Sequence, residues 1–210
     1  METINLSKNQ EKAIQRSAET LLSGGIVIFP TDTVYGIGAL PTFPSAIKQI
    51  FKLKNRPTSM PLPLLLSEAK QISSVSSYRS QTMDQLTEMF WPGPLTLIVP
   101  DVMPAISKSL NGQETIAVRC PNHDFVRELV TRTGPVATTS ANLHGQPTAL
   151  TLAEIVKSFE AVELGIDDGE CDHGTASTIL DLAKPYPEIL RKGPISAIQI
   201  SQILEKQNSG

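Results

Sequence analysis

Apolar runs and amphipathic stretches alternate along the chain, with glycines and prolines between them. Ser7 and Gln10 have capping-box spacing and predict a first helix through Ile14 and Leu21, ending at Gly24-Gly25. Ile26 to Pro30 is continuously apolar and reads as a buried strand. Pro44 to Lys54 sets Ile47, Ile50, Phe51 and Lys54 at helical spacing. Leu62 to Leu66 reads as a strand whose start Pro61 and Pro63 confine to an edge or irregular position. Thr82 to Phe90 reads as a helix, followed by the Trp91-Pro92-Gly93-Pro94 corner and a strand from Leu95 to Val99. Asn111-Gly112 is a turn signal before a strand from Thr115 to Arg119. Asn122 is placed to cap a helix to about Arg132, and Gly134 precedes a strand from Val136 to Thr139. Thr151 and Glu154 form a second capping box, opening a helix to about Phe159. Ile166, Ser177 to Leu182 and Glu188 to Leu190 supply further strands, and Ser196 with Gln199 predicts a last capped helix. About eight strands thus alternate with about six helices, and some connections are too short for parallel crossovers. The pattern predicts one mixed-sheet α/β domain over residues 1–210.

Composition narrows the function classes. Hydrophobic residues make up 40% and charged residues 19%, as in an ordinary soluble globular protein. No apolar run is long enough to cross a bilayer, and Met-Glu-Thr-Ile-Asn at the start carries neither a basic region nor an apolar signal core. A cytoplasmic location is therefore expected. Cys120 and Cys171 form no CxxC pair, and His123, His144 and His173 lack metal-ligand spacing, so a zinc site held by protein alone is not expected. Eighteen cations against 21 acids give a net charge of -3, which weighs against a bulk electrostatic grip on nucleic acid.

Four segments concentrate polar and small residues beside apolar strands. Pro30 to Gly38 brings two threonines, an acid, a tyrosine and two glycines, a set able to close around a small ligand. The glycines also fit an ordinary loop end, and Gly36 and Gly38 lack the third glycine of a dinucleotide fingerprint. Lys52, Lys54 and Arg56 complement a helix C-terminus or form an anion clamp. Arg119 leaves the end of an apolar strand, either as a rim ion pair or as a bidentate carboxylate ligand, and Cys120 beside it reads as a packing residue. Thr138 to Gly145 offers hydroxyls and an amide suited to phosphate or ribose oxygens. Its Ser140 lacks the nucleophile-elbow pattern, and His144 reads as a loop residue. Asp167, Asp168 and Asp172 read as an acidic solvent turn in preference to a metal site.

The segments PTDTVYGIG, KNRP, WPGPLTLIVP, VRCP, TTSANLHGQP, STIL and LRKG, in this order, resemble the YrdC-like (TsaC) family of L-threonylcarbamoyladenylate synthases. The likeness runs from about Leu21 to Gly193, centred on Lys54-x-Arg56 and Ser140-x-Asn142. It implies one twisted, open mixed sheet flanked by helices around a deep, positively lined cavity. It implies condensation of L-threonine, bicarbonate or CO2 and ATP into threonylcarbamoyl-AMP and pyrophosphate. Mg2+ would come with ATP and take no protein ligand. Separate transferase proteins would then move the threonylcarbamoyl group to adenosine 37 of tRNA. By the same resemblance Thr33, Arg119, Ser140 and Ser177 hold L-threonine, while Lys54, Arg56, Asn142 and Arg191 hold ATP, Lys54 and Arg56 being the catalytic cations. Tyr35 shapes the floor between the two substrates.

Two positions and the end of the chain depart from the pattern of many members. Met60 stands where many members carry an asparagine beside the nucleotide, and Leu65 where longer members carry a threonine-contacting histidine. The chain ends at Gly210, as expected of the short type without a further domain. Two other functions are compatible with the same motifs. One is a non-catalytic protein that binds tRNA or double-stranded RNA through a local patch of Lys48, Lys52, Lys54 and Arg56. The other is a paralogue that forms a carbamoyl adenylate for a different acceptor.

Overall fold

A computed structural model describes residues 1–58, 60–110, 112–171 and 174–207. Asn111 of the expected turn, with Asp172 and His173, lies outside the described residues. The chain runs β1 (Glu2–Asn5), α1 (Gln10–Leu22), β2 (Val27–Phe29), β3 (Gly36–Ala39), α2 (Pro44–Lys54), β4 (Leu64–Leu65) and a 3-10 turn (Ala69–Ser74). It continues with α3 (Gln81–Phe90), β5 (Leu95–Val99), α4 (Pro104–Ser109), β6 (Ile116–Arg119), α5 (Asp124–Thr133) and β7 (Val136–Ser140). The last elements are α6 (Leu152–Val156), β8 (Leu164–Asp167), β9 (Thr178–Asp181), β10 (Glu188–Arg191) and α7 (Ala197–Gln207). The strands form one mixed sheet in the order β1-β8-β2-β3-β7-β4-β6-β5-β9-β10. Among the described residues no helix is long and apolar enough to cross a membrane.

Local chemistry explains where elements begin. The expected cap at Ser7 moves to Asn9, whose side chain accepts from Lys12 N at 3.1 Å. Ser7 belongs instead to the turn after β1, where Asn5 Oδ1 accepts from the Ser7 hydroxyl at 2.8 Å and from Lys8 N at 3.1 Å. The Thr151–Glu154 box is formed as read. Ser196 N donates to Gln199 Oε1 at 2.9 Å and Gln199 N donates back to Ser196 Oγ at 3.3 Å, capping α7. Asn122 caps nothing: α5 starts from His123 without a side-chain cap. β4 is an interior strand between β7 and β6, not an edge. Its prolines precede the paired residues, and Pro63 joins only through its carbonyl, which accepts from Thr138 N at 2.8 Å.

β3 replaces the expected Gly-rich loop. It pairs antiparallel with β2 (Phe29 opposite Gly36) and with β7 (Gly36 opposite Ser140). Neighbouring side chains press on it: a Cβ at Gly38 would stand 2.9 Å from Val136 Cγ1. Only Pro30 to Tyr35 is then left as the loop of a β2–β3 hairpin.

Helices α1 and α5 cover one core, in which Leu21, Phe125 and Leu129 meet Val27, Phe29 and Ile166 of the sheet. A second core takes Leu95, Leu97 and Val99 of β5, Ile116 and Val118 of β6, and Leu180 of β9. Period-2 alternation sends the residues between them, Thr96, Ile98, Ala117, Arg119 and Ile179, to the opposite face, where they line a cavity.

Candidate active site

The cavity measures about 440 Å3. Its walls come from the β2–β3 loop, the segment after α2, the ends of β6 and β7, and β9–β10. Thr31 organises the first wall. Its hydroxyl donates to Val34 O at 2.7 Å and accepts from Thr33 N at 3.1 Å, folding Pro30 to Tyr35 back on itself. Val34 N donates to the same oxygen at 3.2 Å, so the Thr31 proton and both its lone pairs are used, and the 3.0 Å contact between Thr31 Oγ1 and Thr33 Oγ1 does not fix which hydroxyl donates.

Arg119 lies under the loop as a buried ion pair, not at a rim. Nη2 donates to Asp32 Oδ1 at 2.7 Å, Nη1 to Thr33 Oγ1 at 2.8 Å and Nε to Gly93 O at 3.0 Å. One N–H on each terminal nitrogen is left for a ligand. Burial lowers the Arg119 pKa and Asp32 opposes that shift, so the carboxylate helps keep the fork charged. On the far wall Arg191 donates from Nε to Ser177 O at 2.9 Å and from Nη2 to Ser177 Oγ at 3.0 Å. Burial, then the charges of Arg119 and Arg56, lower its pKa. Arg56 donates to Met60 O at 3.3 Å and Pro61 O at 3.1 Å and holds that segment at the mouth.

Thr33, Tyr35, Arg56, Arg119, Ser140, Ser177 and Arg191 therefore line one cavity, joined by Met60 and Leu65. Lys54 and Asn142 do not line it. Lys54 is 1% exposed, and its ammonium donates to the carbonyls of Ser140 and Asn142 and, at 3.2 Å, to Asn142 Oδ1. Three protons meet three oxygens with no carboxylate among them. Burial, followed by the charge of Arg56, brings the Lys54 pKa down to about 8. Ser140 Oγ completes the knot by donating to Asn142 Oδ1 at 2.6 Å. The Tyr35 hydroxyl also points away, donating to Gly169 O at 2.8 Å and accepting from Asp168 N at 3.1 Å. Burial pushes its pKa up to about 12, so the ring can shape the floor but not exchange a proton near neutral pH.

Sequence reasoning assigned no role to Asp32 within its motif and passed over Thr96. The signal for Thr96 was a hydroxyl inside an otherwise apolar strand. For Asp32 it was an acid within a predicted anion site. Cys120 is buried, its thiol directed at Ser67 O at 3.2 Å with a pKa pushed up to about 11, so it packs as expected. Asp168 pairs with His123 at 3.3 Å, and Asp167 Oδ1 accepts from Gly169 N at 3.2 Å. Among the described residues no cluster of three or more His, Cys, Asp or Glu gathers to hold a metal.

Comparison with known proteins supplies a context for this geometry. Residues 19–193 match the family model of Sua5, YciO and YrdC proteins, described as "Telomere recombination". The threonylcarbamoyl-AMP synthase of Bacillus subtilis (strain 168) is 35% identical over 205 residues, covering 96% of this chain and 59% of that protein. The threonylcarbamoyl-AMP synthase of Pyrococcus abyssi (strain GE5 / Orsay) is 34% identical over 199 residues, covering 93% and 58%. The crystal structure of P. abyssi Sua5 complexed with L-threonine superposes with a TM-score of 0.89 at 31% identity, covering 97% of this chain and 61% of that one. The chain thus spans about three fifths of the length of these relatives.

Proposed function

The chain belongs to the Sua5/YciO/YrdC family, and from that premise we propose that its cavity joins L-threonine, bicarbonate or CO2 and ATP into threonylcarbamoyl-AMP, releasing pyrophosphate. The observation that carries the reading is the convergence of Arg56, Arg119 and Arg191 on one cavity in a chain of net charge -3. The curated relatives' names and the L-threonine held by the P. abyssi structure support it.

The threonine nitrogen adds to the carbon of CO2, or to that of bicarbonate with loss of water, and gives a carbamate. A carbamate oxygen then attacks the α-phosphorus of ATP as the bond to the β-phosphate oxygen breaks. Neither step needs a covalent enzyme nucleophile. Both need two anions held together against their repulsion, and cations where charge builds on phosphate oxygens. Arg119 takes the threonine carboxylate on its two unused N–H bonds. Thr33, one lone pair taken by Arg119, offers its hydroxyl oxygen to the amine. Ser140, its proton given to Asn142, is an acceptor. Arg56 and Arg191 meet the phosphates, and removing one such donor costs on the order of 100-fold in rate.

Lys54 and Asn142 act one step back, by fixing the Ser140 loop. The donors on the wall are guanidinium and hydroxyl groups, a poor match for Mg2+, so the ion is carried by the phosphates of ATP. The product suits a cytoplasmic route in which separate transferase proteins move the threonylcarbamoyl group to tRNA.

The test is pyrophosphate release from ATP with Mg2+ and bicarbonate, with and without L-threonine, followed by mass analysis of the nucleotide. Threonine-dependent release of an adenylate carrying a threonylcarbamoyl group is expected. Release that ignores threonine, or that follows carbamoyl phosphate instead, overturns the reading.

A further inference from the structure

Thr96 has no part in the reaction just described, yet its surroundings are not those of a packing residue. It is 2% exposed on β5, on the cavity face of the strand, with Oγ1 2.7 Å from Ser177 Oγ. Valine has the same shape and a higher strand propensity, so packing alone gives no reason for a hydroxyl here.

Proton counting supplies one. A serine hydroxyl has one proton and two lone pairs. Arg191 Nη2 can only donate, and at 3.0 Å it fills one lone pair of Ser177. If Thr96 donates as well, both lone pairs are filled and the Ser177 proton is free for a ligand in the cavity. The opposite orientation spends that proton on Thr96 and turns a Ser177 lone pair toward the ligand. Arg56, Arg119 and Arg191 make that ligand an anion, and an anion's oxygen would be repelled by a lone pair.

We propose that Thr96 is a positioning residue that holds Ser177 as a hydrogen-bond donor to the substrate carboxylate. This rests on the synthase reading above and deepens it. Thr33, which also lines the cavity, has one lone pair taken by Arg119. A hydroxyl at Thr33 beside donors at Ser177 and Arg119 forms a pattern that an α-amino acid completes, amine to the first and carboxylate to the others.

The experiment is steady-state pyrophosphate release by the full chain, varying L-threonine and ATP separately, on wild type, Thr96→Val, Thr96→Ser, Ser177→Ala and the double variant Thr96→Val/Ser177→Ala. Thermal melts accompany each protein. Thr96→Val should raise the threonine KM about tenfold, the scale of one hydrogen bond, while the ATP KM stays within about twofold. Thr96→Ser should restore the wild-type threonine KM. The double variant should match Ser177→Ala, because Thr96 acts through that hydroxyl.

A wild-type threonine KM in Thr96→Val, or losses that add in the double variant, overturn the role of Thr96 and leave the synthase reading standing. A wild type that releases no pyrophosphate on threonine addition overturns the synthase reading itself and this one with it. Should Thr96→Val fail to fold, Thr96→Ala is read by the same criteria. Failure of Thr96→Ser to recover the threonine KM also counts against the proposal.

Discussion

Lys54 shows how the same residue type carries different physics once its partners are known. From the sequence it is a cation at a helix end, a natural ligand for phosphate. In the fold it is a strut, because its oxygen partners at Ser140 and Asn142 lie 86 and 88 residues further on, where no local pattern reveals them. The pairing of Arg119 with Asp32, 87 positions apart, was hidden for the same reason, although each residue stood out alone. A buried ammonium that faces only carbonyls titrates early, at about 8 against an ordinary 10.5. The sign of the consequence follows from linkage. Between those two values the unfolded chain binds more protons at this site than the folded one, so the site's contribution to stability rises with pH across that window. Lys54→Met has no such proton. Urea midpoints of both proteins, taken near pH 7 and again near pH 10, should therefore show the wild type gaining stability relative to the variant at the higher pH. A gap that moves the other way means that the three oxygens keep the ammonium charged, and the strut is stronger at neutral pH than burial alone allows.

Elements were legible where one period or one cap dominates, as in α2, in β5 and in the Thr151–Glu154 box. They were lost where tertiary pairing overrides local preference. β1 owes its conformation to parallel pairing with β8, more than 150 residues away. β3 is half glycine, which propensity assigns to a loop, and it is a strand because β2 and β7 pair with it on both sides. The candidate site depends on another such approach at Gly193, just past β10. A Cβ there would stand 2.4 Å from Thr178 N and 2.6 Å from Ala176 O, closer than contact allows. That closeness lets β10 present Arg191 to Ser177. In Gly193→Ala the strand must move outward. Overpacking of this kind costs about 1–3 kcal/mol, visible as a lowered urea midpoint. The displaced guanidinium should raise the ATP KM severalfold. Full activity in a destabilised Gly193→Ala would show that Arg191 is not held through this contact.

At the scale of the molecule, charge is separated: acids exceed cations by three over the chain, while the cavity is lined by three guanidiniums, and the Asp32 carboxylate behind Arg119 is committed to it. The composition showed only the first half of this, because net charge carries no information on where the charges lie. Burial and, after it, the charges of Arg119 and Arg56 lower the Arg191 pKa, so the cations press on one another. A polyanion bound among them relieves that repulsion. A ligand that binds only the folded state stabilises it by about 2.7 kcal/mol at a hundred times Kd. Inorganic pyrophosphate should thus raise the melting temperature in a concentration-dependent way, and adenosine at equal concentration should raise it far less. Arg56→Gln removes one charge from the half-exposed mouth and should lose most of the pyrophosphate shift without lowering the melting temperature of the free protein to the same extent. Because these groups are shielded from bulk salt, part of the shift should survive ionic strengths that abolish binding to an exposed basic patch. If adenosine stabilises as much as pyrophosphate, or the Arg56→Gln shift equals that of wild type, the cavity grips its ligand by the base and not by its charge.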